Sequence, residues 1–217
     1  MTNQNRINGP HSSIERSRDN RPAAARPTIR LLVILDCSLS MAGCEEQVTA
    51  GLRSFVDTLN RAPAQPRYVA TLVRFASEPE TVISAQPLEK LAIAYKPTGE
   101  GTALRDAMAH AFVLEKSRQE PTICLIVTDG EDNCSREVDQ KQVTAMVQAR
   151  REWGNWKFLW LDLEGKPNRN ARALGIDCIA SNRNEVGKML PEIAERISRA
   201  AARITAGDCR LLTEGGR

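Results

Sequence analysis

The chain has 217 residues, 41% of them hydrophobic and 26% charged, a composition that suits one globular domain with tails. The net charge of +3 sits entirely in residues 1–27, where five Arg face Glu15 and Asp19; the remainder is neutral, which excludes a basic nucleic-acid-binding surface on the folded part. The longest aliphatic run, Leu31 to Leu35, falls far short of the ~20 residues of a membrane helix.

Residues 1–27 mix Asn, Ser, Arg, Pro and Ala without apolar periodicity and read as a disordered, Arg-rich tail. From Thr28 the texture changes. Thr28 to Asp36 is a continuous apolar run ending in an acid, the pattern of a strand buried on both faces. A helix follows, with Val48, Leu52, Phe55, Val56 and Leu59 on one stripe and Pro63 and Pro66 bounding its end. Tyr68 to Phe75 is a second strand. Thr81 to Ser84 is a short third one, and the turn before it is tight enough to force antiparallel pairing. A Gly-rich loop, Pro97 to Thr102, leads into a helix from about Ala103 to Arg118, with Leu104, Met108, Ala111 and Phe112 inward.

Thr122 to Thr128 is another wholly apolar strand that ends in an acid, Asp129. A helix (Val138 to about Trp153), a strand (Trp156 to Leu163), a short helix (about Asn170 to Leu174) and a strand (Ile176 to Ala180) follow. The last helix aligns Leu190, Ile193, Ile197, Ala201 and Ile204, with Pro191 expected in its first turn. This alternation predicts an α/β fold: a doubly wound, Rossmann-like open sheet, mostly parallel, with one short antiparallel edge strand and helices on both faces. The domain is expected over 28–206, with a loose tail at 207–217.

Six cysteines (Cys37, Cys44, Cys124, Cys134, Cys178 and Cys209) form no Cys-x-x-Cys pair and no zinc spacing. The polar start, Met1 to Arg6, has no apolar stretch of the secretory kind. Free thiols in a reducing cytoplasm are the expectation.

In a doubly wound sheet, ligands bind at the carboxyl ends of the strands. Three polar segments converge on that edge: Asp36-Cys37-Ser38-Leu39-Ser40, Gly101-Thr102 and Thr128-Asp129-Gly130. They offer hydroxyls and carboxylates and no soft or imidazole ligand, a set for a hard cation such as Mg²⁺. Ser38 and Ser40, two apart on an extended loop, can point the same way. A metal bound mainly by neutral hydroxyls keeps most of its charge, so it attracts a carboxylate from outside.

Asp36-x-Ser38-x-Ser40, Thr102 and Thr128-Asp129-Gly130, in this order on an α/β chain, resemble a von Willebrand factor A domain with a complete metal-ion-dependent adhesion site. Tyr95 to Asp106 and Thr128 to Ser135 resemble the family's bacterial intracellular branch. The resemblance implies Ser38, Ser40 and Thr102 as direct ligands of Mg²⁺ or Mn²⁺. Asp36 and Asp129 would bind directly or through water, and a partner's Asp or Glu would complete the shell. It implies a binding module and not an enzyme, in company with a MoxR-type AAA+ ATPase or a kinase–phosphatase pair of a stress-response or phage-defence system. Leu39 stands where many members have Gly.

Other readings are a Mg²⁺-dependent haloacid-dehalogenase-like phosphatase, and a structural subunit that does not use the metal. The phosphatase class normally has Asp two residues after its nucleophile, where Ser38 stands here. Glu131 and Asp132 are expected in a solvated loop, Cys37 and Cys134 as inert thiols with a redox pair as the alternative, and His110 as structural. Trp160 is expected in the core, with Trp153 and Trp156 as candidates for a partner surface.

Overall fold

The computed structural model describes residues 26–61, 66–115, 119–166 and 168–205. The expected tails at 1–27 (all but Arg26 and Pro27) and 207–217, together with Pro63 and Cys209, lie outside the described residues.

Six strands form one sheet in the order β3-β2-β1-β4-β5-β6. They are β1 (Thr28–Asp36), β2 (Arg67–Phe75), β3 (Pro79–Pro87), β4 (Thr122–Thr128), β5 (Trp156–Asp162) and β6 (Asp177–Ala180). All pairs are parallel except β2 with β3. The helices are α1 (Glu45–Arg61), α2 (Leu104–Leu114), α3 (Gln140–Glu152), α4 (Arg169–Ala173) and α5 (Val186–Thr205).

The apolar runs are continuous because each central strand feeds two cores. Leu31, Val33 and Leu35 of β1, with Ile123, Leu125 and Val127 of β4, pack in one core with α1 and α5. Leu32, Ile34, Cys124 and Ile126 point the other way, into the core formed with α2, α3 and α4. The predicted stripes are the buried ones: Val48, Leu52, Phe55, Val56 and Leu59 on α1, and Leu190, Ile193, Ile197 and Ala201 on α5. The side chain of Ile204 lies outside the described residues.

Four expectations change by more than one residue, each for a local reason. The edge strand β3 is nine residues long, not a short one at 81–84. Its side chains are half-buried or exposed and its register shifts opposite Ala70 to Val73, so it carries little apolar signal. Ala85 sits there at φ +50° and donates its N–H to Thr71 Oγ1 (3.1 Å). Helix α2 stops at Leu114 because Glu115 leaves helical geometry; its buried carboxylate turns to Arg30 Nη1 (2.8 Å). Helix α3 begins at Gln140 because Asp139 and Gln142 form a reciprocal capping box at 2.8 and 2.7 Å.

The fourth correction concerns Pro191. It lies inside α5, beyond the first turn, because a 3₁₀ turn at Arg183–Glu185 runs directly into the helix at Val186. Close packing with α1 begins at that early turn. A Cβ on Gly187 would lie 3.1 Å from the Gln47 carbonyl oxygen, and one on Gly51 would lie 3.1 Å from Gly187 Cα. No helix among the described residues is long and apolar enough to cross a membrane.

Candidate metal centre

The carboxyl ends of β1 and β4 lie side by side at the middle of the sheet, with Leu35 in register with Val127. Asp36 closes β1 and is fully buried. Its Oδ1 accepts the Ser38 N–H (2.8 Å) and its Oδ2 accepts the Thr128 hydroxyl (2.6 Å). Burial raises its carboxyl above the ordinary range and the charge of Asp129 adds to this, while the bonds from Ser38 and Thr128 act in the opposite direction. Tyr95, also buried, donates its hydroxyl to the Asp36 carbonyl (2.7 Å) and fixes the end of the strand.

From Asp36 the chain runs extended through Ser38. Leu39 N–H donates to the Gly99 carbonyl (2.9 Å) and Thr98 N–H to the Cys37 carbonyl (2.8 Å), so the 97–102 loop pairs with this turn like a short added strand. Ser38 Oγ lies 2.8 Å from Ser40 Oγ, and Ser40 Oγ donates to Asp129 Oδ1 (2.7 Å). Four of the five predicted site residues are therefore tied together by hydrogen bonds.

Thr102, the fifth, is buried beside Gly130, where a side chain would come within 3.7 Å of its Oγ1. It is not the cap of α2: Ala103 holds that position. Its N–H donates to Asn133 Oδ1 (2.8 Å), and its carbonyl accepts the Asn133 N–H (3.1 Å). Gly101, at φ +80°, cannot carry a side chain without meeting Cys134 Sγ at 2.8 Å.

Several residues that shape the site have no signal in the sequence. Asp106 is buried on α2 and accepts the N–H groups of Arg136, Glu137 and Val138 at 2.7 to 3.0 Å. Asp132 is not solvated as expected: it is paired with Arg105 Nη2 (2.8 Å) and accepts the Arg105 N–H (2.8 Å). These bonds strap the 130–138 loop to α2 and hold Asp129 and Thr102 in one place. Glu131 is exposed, as expected. Asp162, buried at the end of β5, accepts from Glu164 N–H (2.9 Å) and Asn168 Nδ2 (2.9 Å). Arg183, from the turn before α5, donates to the Ser40 carbonyl and places Nη1 3.7 Å from Asp129 Oδ2.

Of the remaining candidates, Cys37 is buried, and that burial pushes its thiol up to about 12. His110 Nε2 lies 2.7 Å from Thr81 Oγ1, a contact between α2 and the edge strand. Trp160 is in the core as expected, but so is Trp156, which offers no surface to a partner; Phe112 and Phe158 enclose it.

Among the described residues no three His, Cys, Asp or Glu side chains gather as a metal cage. The donor set is hydroxyl-rich. Its spacings suit a small hard cation: an octahedron with bonds of ~2.0–2.1 Å has edges of about 2.9 Å. The Ser38–Ser40 and Ser40–Asp129 oxygen pairs are 2.8 and 2.7 Å apart.

No family model matches the sequence, and a search of curated proteins gives no match. Solved structures do match. The vWF domain of the type V pili tip protein Mfa5 from Porphyromonas gingivalis aligns with a TM-score of 0.64 at 10% identity, over 82% of this chain and 97% of that one. The fold is that of a von Willebrand factor A domain. A von Willebrand factor type A protein from Catenulispora acidiphila aligns with a TM-score of 0.56 at 16% identity, over 78% of this chain and 42% of that one. Proximal thread matrix protein 1 of the mussel byssus, with a zinc-occupied MIDAS motif, aligns with a TM-score of 0.62 at 13% identity, over 80% and 46%. The chain spans less than half the length of these last two proteins, and at such identities the likeness carries the von Willebrand A fold alone.

Proposed function

We propose that this chain is a metal-dependent protein-interaction module. Ser38, Ser40 and Thr102 would hold Mg²⁺ or Mn²⁺ directly, with Asp36 and Asp129 bound directly or through water. The observation that carries the reading is the convergence of the Ser38, Ser40 and Asp129 oxygens in one continuous chain at the carboxyl ends of β1 and β4. The zinc-occupied MIDAS of the mussel protein supports a divalent ion at this place in the fold.

The metal would supply a concentrated positive charge that grips a carboxylate. This chain's residues do the rest. Asp36 spends both oxygens on Ser38 N–H and Thr128, so it orients the loop. Three hydroxyls leave the ion's charge poorly neutralised, and a partner's Asp or Glu completes the shell. By resemblance, the setting is a cytoplasmic bacterial assembly with a MoxR-type ATPase or a kinase–phosphatase pair; five free cysteines among the described residues suit a reducing compartment.

The test joins calorimetric titration with Mg²⁺ and Mn²⁺ to a pull-down from native extract in Mg²⁺, in EDTA, and with Ser38→Ala/Ser40→Ala bait. One metal per chain is expected, with a partner lost under both perturbations. A partner kept in all three conditions would reject the metal bridge.

A further inference from the structure

A groove of about 650 Å³ opens beside the hydroxyl cluster, lined among others by Ser40, Gly43, Asp129, Glu164, Lys166 and Arg183. Its lining is mostly polar. Glu164 is held by Lys166 at 3.1 Å, and in the metal-bound state Asp129 would be committed to the ion. Arg183 is then the cation that faces the groove from its wall. One of its five N–H donors is used on the Ser40 carbonyl, and the side chain is half-exposed (48%), which leaves donors for a ligand.

Its backbone is fixed. Asn182 accepts the Asn184 N–H in its side chain (3.0 Å), its carbonyl accepts the Glu185 N–H (3.0 Å), and it pairs with Glu164 in an antiparallel bridge. The guanidinium is thus presented on a rigid turn within 4 Å of the carboxylate that faces the proposed metal.

We infer that Arg183 is the second half of an anion clamp: the partner's carboxylate sets one oxygen on the metal and the other on the Arg183 guanidinium, and the groove takes the acidic segment that carries it. A carboxylate has two oxygens, and a single hard ion uses one of them when it binds end-on. A planar guanidinium close by satisfies the other with fixed geometry. The clamp favours a carboxylate over a neutral amide of the same shape, and makes Arg183 a specificity-determining residue. This rests on the metal reading above.

The experiment measures Mn²⁺ affinity by electron paramagnetic resonance on the full chain, Arg183→Gln and Arg183→Lys. The Mn²⁺-loaded proteins are then titrated with the peptide acetyl-Gly-Glu-Gly-Glu-Gly-amide and its Gln counterpart. Arg183→Gln is expected to lose affinity for the Glu peptide by about tenfold or more, a larger factor than any change in its Mn²⁺ affinity. Arg183→Lys should fall between. Native protein that binds Mn²⁺ but does not prefer the Glu peptide, or an Arg183→Gln variant that keeps full affinity, would overturn the clamp and leave the metal site standing. Loss of Mn²⁺ binding in Arg183→Gln would make the residue a metal-positioning group and overturn it as well. A native chain that binds no Mn²⁺ would remove both readings.

Discussion

Each oxygen of the Asp36 carboxylate already has a donor, which separates it from its neighbours in what a substitution does. Asp36→Ala leaves the Ser38 N–H without its acceptor and removes the short bond from Thr128, whose hydroxyl keeps only its longer contacts to Gly130, so it is expected to cost about 1–3 kcal/mol of stability as well as the metal. Ser38→Ala/Ser40→Ala removes two hydroxyls, one of them on an exposed residue, and should stay within about 1 kcal/mol of the native chain while metal binding is lost. Urea midpoints of both variants check this; equal midpoints would deny Asp36 its structural role. Buried thiols make a separate prediction. Burial raises Cys44 from 9 to about 11, and it raises Cys124 as well. Both stay protonated in the fold while the unfolded chain ionises, so stability is full below about pH 9 and falls as pH rises through about 11. The loss from Cys44 is about 2 kcal/mol over that window, read as a falling urea midpoint between pH 8 and pH 11, and Cys44→Ala should flatten the slope. The five candidate residues were legible because Asp36 and Asp129 directly follow apolar strands, and Thr102 directly follows a Gly-rich loop. Asp106 and Arg183 were not: their partners are peptide groups 30 or more positions away, and a peptide group has no letter of its own.

Helices α1 and α5 meet through glycine, and that contact decides the sign of a mutation which local propensity would misjudge. Gly51 lies inside α1, where a side chain normally favours the helix by about 0.5–1 kcal/mol over Gly. Here a Cβ would sit 2.9 Å from Leu190 Cδ1, 3.1 Å from Gly187 Cα and 3.2 Å from the Val186 carbonyl oxygen. The leucine tip can move, but the two backbone atoms can move only with α5. Gly51→Val is therefore expected to destabilise by about 1–3 kcal/mol, measured by urea unfolding. A stability at or above the native value would mean that α5 is free to shift. The stripes of both helices were plain in the sequence because apolar residues recur with the helical period. Their close approach was not, since a glycine in a stripe looks like a weak point. The edge strand β3 was half-visible for the opposite reason. Only Val82 and Ile83 pack against the core, and the rest is held by main-chain pairing with β2, which any sequence can make, and by polar contacts such as Thr81 with His110 and Glu80 with Arg74.

At the scale of the molecule, the site is where three segments distant in sequence meet: the end of β1, the loop entering α2, and the end of β4. Both strands are anchored in the two cores and α2 in one of them, and the 130–138 loop is strapped to α2 through Asp106 and Asp132. A ligand bound at such a junction binds only the folded chain, so it stabilises the whole domain by mass action. At a hundredfold excess over its Kd, Mg²⁺ should add about 2.7 kcal/mol. For a domain of this size each kcal/mol moves the midpoint of thermal unfolding by about 2–4 °C, so the rise should be about 5–10 °C. EDTA should reverse it, and Ser38→Ala/Ser40→Ala should show none of it while unfolding near the native metal-free temperature. The concentration dependence distinguishes binding at one site from general salt effects, because the midpoint climbs with the logarithm of Mg²⁺ once the site is filled, whereas Na⁺ at matched ionic strength leaves it unmoved. A native chain that melts at one temperature in Mg²⁺, in Mn²⁺ and in EDTA would mean that the Ser38–Ser40–Asp129 chain is held by its own hydrogen bonds and has no need of an ion.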